Sequence, residues 1–274
     1  MAGDRQHHLP AALIGGFGHT TGPNLRDADV QWRRRNWDTP RPTKAANIGY
    51  VNALYRLTNP PPGTDPDYID GLWDLVEPPL PEAIRRLERR RQTADDELVL
   101  VNYVAAAGVR HPEFEDAVNR WLAEQGKLTV SGDSLQITRM ESFTQGLPVV
   151  RGYRWRVLHS PAHAHRFILN DRGWIYFGQE GRDGRGLFVP LNGRVALLGW
   201  YTGTSAGGFD HRDLRPTWVK WFNAGTWSDA PQFVVGHPHD IPMLTRLSTP
   251  NELAGKLDGG GPYRGSARLM FDEF

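Results

Sequence analysis

TADDELVLVNYVAAAGVRHPEFEDAVNRWLAEQGKLTV, residues 93–130, contains the change of pattern on which the fold reading turns. Thr93 with Asp96 has the form of a capping box, ahead of an apolar stretch over residues 98–107. Pro112 then opens a second helical pattern, with Phe114, Val118, Trp121 and Leu122 on one face. Gly126 stands just past its end, where a left-handed residue commonly terminates a helix. Beyond Lys127 the spacing shortens, and residues 128–130 and 135–137 are short apolar runs of the strand kind. This stretch therefore divides the chain into a helical part, about residues 45–126, and a sheet part, about residues 127–236.

Toward the N-terminus, Ile48, Val51, Leu54 and Tyr55 recur at three- and four-residue spacing, as do Ile69, Leu72, Trp73 and Val76. That spacing predicts two helices, separated by the proline-rich NPPPGTDP at residues 59–66. A third helix begins near Pro81 and runs through Ala83, Ile84 and Leu87 into the basic run Arg89, Arg90 and Arg91. Toward the C-terminus, residues 155–158, 165–169, 174–177, 187–189 and 195–200 are apolar or alternating runs punctuated by turn residues, as strands are. A helix is expected near residues 216–224, a last strand at 232–235, and an irregular Gly/Pro-rich tail over 237–274. Helices first and strands afterwards predict a single α+β domain over residues 1–236, its helical N-terminal half packed on a mainly antiparallel sheet.

The 274 residues include no cysteine, which excludes thiol catalysis, disulfides and every cysteine-bearing metal site. No apolar run approaches the roughly 18–20 residues of a membrane helix, and MAGDRQHHLP lacks a signal-peptide core, so a cytoplasmic protein without a membrane partner is expected. The net charge of +1 favours no polyanionic partner, but the charges segregate. Asp65, Asp67, Asp70, Asp74, Glu77 and Glu82 form an acidic run, whereas QWRRRNW (31–37) and RGYRWRV (151–157) interleave arginine with aromatics. That composition suits phosphate contact with base stacking, so a nucleic acid or nucleotide is the partner to consider. In the second segment a half-buried amphipathic strand explains the alternation as well.

His7, His8 and Pro10, followed by Ile14 and Phe17, hold two imidazoles on a restrained backbone before the first helix. The order His7, Pro10, Ile14, Phe17 resembles the opening signature of the domain-of-unknown-function family 4238. The resemblance continues through Tyr55, the helical Glu77, the apolar helix leading to Arg110, a strand ending in Asp171, Pro190 with Leu191, and Asn223. It covers about residues 5–236 and implies a set of positions without implying a reaction, cofactor or substrate. One departure is visible: Asp171 is followed by Arg172 and Gly173, where the family has Asn-Pro. The turn there is expected to be built differently.

Roles for these positions come from their chemistry. Glu77 at the end of a helix opposes the helix dipole by about 0.3–1 kcal/mol, so it needs a cationic partner, and Arg110 is the candidate. A catalytic set of His7, Glu77, Arg110 and Asp171 would place His7 as general acid or base, Asp171 to orient it or a water, and Arg110 to hold an anion. His8, Tyr55 and Asn223 are the expected substrate contacts, Asn223 alternatively a helix-to-loop clamp. The expected activity is a hydrolase or transferase of a phosphate-bearing substrate such as a nucleic acid or nucleotide. The alternative is a non-enzymatic recognition or sensor protein, of a defence or mobile-element system, in which the same residues form a structural polar network with a buried Glu–Arg pair.

HSPAHAH, with His159, His163 and His165, and GHPHD, with His237, His239 and Asp240, match no zinc spacing, so no metal is assigned and the cofactor is left open. GRDGRG (181–186) lacks the following helix and Lys-Ser/Thr of a nucleotide loop, and Ser205 in TGTSAGG lacks a nucleophile-elbow context.

Overall fold

The computed structural model describes residues 5–20, 22–177, 186–202 and 208–247. Strand β1 (Arg5–His7) and helix α1 (Ala11–Gly15) are followed by β2 (Asp29–Arg34), β3 (Arg41–Lys44) and β4 (Tyr50–Asn52). Helices α2 (Tyr68–Leu72), α3 (Leu80–Glu88), α4 (Ala94–Arg110), α5 (Phe114–Glu124) and α6 (Gly132–Arg151) come next. The remainder comprises β5 (Tyr153–His159), β6 (Leu169–Asn170), β7 (Ile175–Phe177), β8 (Gly186–Pro190), β9 (Val195–Tyr201), β10 (Phe209–Asp213), α7 (Pro216–Asp229), β11 (Phe233–Gly236) and α8 (Ile241–Thr245).

The α+β class holds, with helices concentrated in the N-terminal half and the largest sheet in the C-terminal half. That sheet has the order β10-β5-β9-β8-β7 and is antiparallel except where β10 lies parallel to β5. A second sheet, β3-β2-β11-β6, joins N-terminal strands to C-terminal ones, and β1 pairs with β4. The core between sheet and helices is apolar, with Leu80, Ile84, Leu87, Leu100 and Val104 of α3 and α4 in the same cluster as Val157, Leu197 and Phe188. Phe188 stacks on Phe222 of α7 at 4.3 Å between centroids. Among the described residues no helix is long and apolar enough to cross a membrane.

The capping box is present. Asp96 N–H donates to Thr93 Oγ1 at 3.2 Å and Thr93 N–H to Asp96 Oδ2 at 2.8 Å, while Asp96 also receives Arg86 Nε at 3.1 Å. Thr93→Ala removes an acceptor for an orphan helix-end N–H and is expected to cost about 1 kcal/mol. Urea denaturation reads this, and an unchanged midpoint would show that the box contributes nothing.

Several expectations need correction. Of the strand expected over 165–169, only Leu169 enters one, as the start of β6. Residues 48–55 are not a helix. Gly49 and Ala53 have φ of 72° and 54°, outside the right-handed helical region, and Tyr50–Asn52 pairs antiparallel with Arg5–His7. Residues 128–137 are not strands: Ser134 Oγ receives Ser131 N–H at 3.2 Å and α6 starts there, so the helical part extends to Arg151. Short apolar runs do not separate strand from helix, and the decisive spacing, Leu135, Arg139, Met140 and Phe143, is broken by a buried cation. The tail is not wholly irregular, since a 3-10 turn at Pro238–Asp240 leads into α8. On the predicted face of α5, Phe114, Val118 and Leu122 are half-buried, but Trp121 is 52% exposed.

Candidate functional site

Successive strand residues point to opposite faces, so His7 and His8 diverge where β1 ends. The N–H groups of His8 and Leu9 both reach Gly49 O, at 2.9 and 3.2 Å, which fixes the backbone there. The His8 ring lines a cleft of about 250 Å³ together with Trp32, Arg34, Tyr50, His111 and Asp171. His111 is the C-cap of α4, brought there by the helix that Thr93 starts. Asp171 sits in the turn after β6, where Asn170 Oδ1 accepts Gly173 N–H at 2.9 Å and Gly173 takes φ 84°. The Asp-Arg-Gly departure is thus a working turn, its left-handed position filled by glycine.

The rings of His8 and His111 meet edge to face at 5.6 Å. His111 Nδ1 accepts Glu113 N–H at 3.2 Å, so the neutral ring carries its proton on Nε2, 3.9 Å from Asp171 Oδ2. Asp171 Oδ2 accepts Gln232 N–H at 3.0 Å, and the residue is 1% exposed. His8 Nδ1 and Nε2, His111 Nε2 and Asp171 Oδ1 are buried and have no hydrogen-bond partner among the described residues. Burial, then the neighbouring His111 and Arg110, pushes His8 down to about 3, so its ring is neutral at ordinary pH.

Behind the cleft lies a second polar group. The Arg110 guanidinium donates to Glu77 Oε1 and to His7 O. It lies 5.1 Å over Trp73 and 5.9 Å over Tyr55. Tyr55 O–H donates to Arg110 O at 2.9 Å, and Tyr55 N–H to Gln6 Oε1 at 2.6 Å. Burial would lower Arg110, but Tyr55 and Glu77 beside it outweigh that and raise it.

The Glu77–Arg110 pair is therefore real, while the anion-holding role of Arg110 is not carried by this geometry. Its side chain is 1% exposed and does not line the cleft. Tyr55, fully buried with its hydroxyl bonded, is no surface for substrate either. His7 does not line the cleft: its ring meets the edge of Tyr50 at 5.7 Å, and its Nε2 is buried without a partner among the described residues. Burial, then Arg26, lowers its pKa. Asn223 lies elsewhere. Its Oδ1 accepts Ile168 N–H at 3.1 Å and its Nδ2 donates to Arg166 O at 2.7 Å, the clamp arrangement, beside a separate cavity that includes His165 and Lys220. Of the expected site residues, His8 and Asp171 share the cleft, His7, Glu77, Arg110 and Tyr55 brace it from behind, and Asn223 stands apart. Arg34, of the arginine–aromatic segment QWRRRNW, and His111 complete the cleft; His111 was not named from the sequence, where a histidine at the end of an otherwise apolar helix was the available signal.

Of the remaining histidines, His159 and His211 form a pair, and the rings of His19, His237 and His239 contact one another. His159 Nε2 lies 2.8 Å from His211 Nδ1, and His211 Nε2 lies 3.1 Å from Gln92 Oε1. HSPAHAH and GHPHD do meet, through His165 Nδ1 and Asp240 Oδ1 at 3.4 Å, and Arg166 reaches the same carboxylate at 3.3 Å. Among the described residues no group of three or more His, Cys, Asp or Glu side chains is arranged to hold a metal ion.

The RGYRWRV arginines Arg154 and Arg156 approach Asp210 at 3.3 and 3.6 Å, but burial does not alternate as a half-buried strand would have it: Arg154 is exposed, whereas Arg156 is buried along with Trp155, Val157 and Leu158. In QWRRRNW, Arg33 donates to Leu244 O at 2.6 Å and Arg35 to Ser228 O, so both are spent on backbone carbonyls. Residues 181–185 of GRDGRG, and Ser205, lie outside the described residues. Comparison of the chain with family models, with curated proteins and with solved structures finds no match in any of the three.

Proposed function

We propose that the His8–His111–Asp171 cleft is the active site of a cytoplasmic hydrolase or transferase acting on a phosphate-bearing substrate of the nucleotide or nucleic-acid kind. The observation that carries this reading is that three residues lining one cleft, His8, His111 and Asp171, hold four buried polar atoms with no hydrogen-bond partner among the described residues. Each costs about 1–3 kcal/mol when left unmade, which a bound polar group would offset. The set contains an acceptor on Asp171, a donor on His111, and one of each on neutral His8. It therefore fits a hydroxyl or water that must lose a proton while a neighbouring oxygen gains charge. Asp171 Oδ1 takes the proton, the imidazole N–H groups bond the oxygen, and Arg34 at the rim meets the phosphate. The acid–base role expected of His7 passes to this set, because the His7 ring is outside the lining. A cleft of about 250 Å³ admits a base or a phosphate of such a ligand, since whole drug-sized ligands occupy roughly 300–1,000 Å³. The resemblance to family 4238 belongs to the same proposal, because His7, Glu77, Arg110 and Asp171 form or brace the cleft.

The sensor reading keeps one supporting observation, the buried Glu77–Arg110–Tyr55 network, which is structural. Turnover of a panel of nucleotides and oligonucleotides separates the two. Asp171→Asn keeps an acceptor for Gln232 N–H but removes the base, so the rate is expected to fall about 10²–10⁴-fold with the melting temperature little changed. Equal rates in the two proteins would end the catalytic assignment. Binding without turnover by the wild type would favour the sensor.

A further inference from the structure

The cleft opens onto a surface whose composition its own chemistry does not require. Trp32 and Arg34, two apart on β2, project to one face about 6.6–6.8 Å from each other. Arg41 of β3 is the register partner of Trp32, and Trp37 stands in the turn between these strands. The Arg34 guanidinium lies 4.9 Å from the Trp32 ring and 5.6 Å from that of Trp37, and Arg41 lies 4.1 Å over Trp37. Beyond the mouth, Arg5 sits 4.8 Å over Tyr50. Trp32, Arg34 and Tyr50 also line the cleft, so the row is continuous with it.

Arg33 and Arg35, in the same triple run, donate to carbonyls at the other side of the strand. The outward members, Arg5, Arg34 and Arg41, are exposed and form no ion pair with a carboxylate among the described residues. Cations left unpaired at neighbouring positions repel one another. Here each is instead laid over an aromatic ring, which orders a planar, charged and stackable group at the surface. An anion with flat faces at regular intervals answers that pattern.

We propose that Arg5, Trp32, Arg34, Trp37 and Arg41 form a track for single-stranded nucleic acid that delivers one base or phosphate of the strand into the cleft. This rests on the reading of the cleft as a site for a phosphate-bearing substrate and names the substrate class. Guanidinium planes and indole faces stack on unpaired bases, whose faces a duplex hides, while the charges follow the phosphates. The size of the cleft limits entry to one base or one phosphate of the strand.

Fluorescence anisotropy of the full chain with labelled oligothymidylate and oligouridylate of about 12 nucleotides, and with a blunt duplex of equal length, tests the track. The wild type is expected to bind the single strands more tightly than the duplex, with affinity falling steeply between about 50 and 200 mM salt. Trp37→Ala with Arg41→Gln weakens binding at least about tenfold, by analogy with the loss of one stacked base and one phosphate contact. Trp37→Phe, which keeps a stacking face, retains most of it, and melting curves verify that each variant is folded. Comparison of the two oligomers tells DNA from RNA. Asp171→Asn, outside the track, should bind the strand within about twofold of wild type while losing turnover. Equal affinity of the Trp37/Arg41 variant and wild type, or no preference for single strands, overturns the track. Either result leaves the cleft reading standing if mononucleotides still bind or turn over; loss of both removes both.

Discussion

Replacing Arg110 by alanine is expected to lower the unfolding free energy by about 3–5 kcal/mol, the range for removing one member of a buried ion pair. The side chain is 1% exposed and satisfies Glu77 and the His7 carbonyl while filling the space between Trp73 and Tyr55. Alanine therefore leaves three defects: a carboxylate without its cation, an unbonded carbonyl and a cavity beside two large rings. Glu77 is 23% exposed and recovers part of its hydration, which places the loss at the lower end of the range. Glu77→Gln alone should cost less, because its amide still accepts from the guanidinium. Arg110→Met with Glu77→Leu should recover most of the stability, since apolar residues of similar volume replace buried pairs at little cost. Guanidinium denaturation of the three proteins reads this directly, and an Arg110→Ala variant within about 1 kcal/mol of wild type would show that the pair is dispensable. The functional consequence follows from chain order. Arg110 holds His7 O, and His8 is the next residue, so loosening that anchor should displace the imidazole from the cleft.

The legible parts of the fold are those in which local pattern and tertiary environment agree. α3, α4 and α7 combine apolar spacing with a proline or a capping box at the start, and β5, β8 and β9 are apolar runs between turn residues. α6 was hidden because Arg139, on its inward side, donates to Val109 O at the end of α4. A helix that buries a cation to cap its neighbour does not show an apolar stripe. β1 and β4 escaped because three-residue strands gain their pairing from each other, across a long separation in sequence. The same division holds at the site. Asp171 and the paired histidines stood out as polar residues beside strand and helix ends, and Glu77 found its cation by the dipole argument. Depth was not legible: nothing in VNYVAAAGVRHPEF distinguishes Arg110, turned inward, from His111, turned toward the cleft. One step along the chain exchanges a structural cation for a site residue.

Acidification is expected to unfold the protein earlier than carboxylate protonation would. His8 is held down to about 3, and His159 and His237 to about 4, in each case by burial first, with His211, Arg90 or Arg166 adding to it in the latter two. Burial also lowers His7 and His211. In the unfolded chain each takes up a proton near pH 6.5. Between that value and its folded value, the unfolded state binds the extra proton, so stability is full above about pH 6.5 and falls as the pH drops toward 3. His8 alone gives a slope approaching about 1.4 kcal/mol per pH unit, or about 2 kcal/mol lost by pH 5. The partly exposed histidines add less each, because solvent screens them. Asp70 works in the opposite direction. Burial, against the opposing pull of Arg110, raises it to about 6, so it takes up a proton in the folded state first and gains stability between about pH 6 and 3.8. Asp229 is raised by burial too, but these two groups offset only part of the contribution of five histidines, against a total stability of about 5–15 kcal/mol. Urea denaturation in steps from about pH 7.5 to 5 should show a plateau and then a decline beginning near 6.5. His8→Gln, which cannot protonate, should flatten that decline by close to one proton's slope whatever its effect on the plateau. In wild type, the His8 ring resonance should stay at its neutral position down to about pH 5. A midpoint independent of pH across this range, or a His8 resonance that titrates near 6.5, would show that the cleft does not hold its histidine uncharged. The neutral donor–acceptor pair assigned to His8 in the proposed chemistry would then be lost with it.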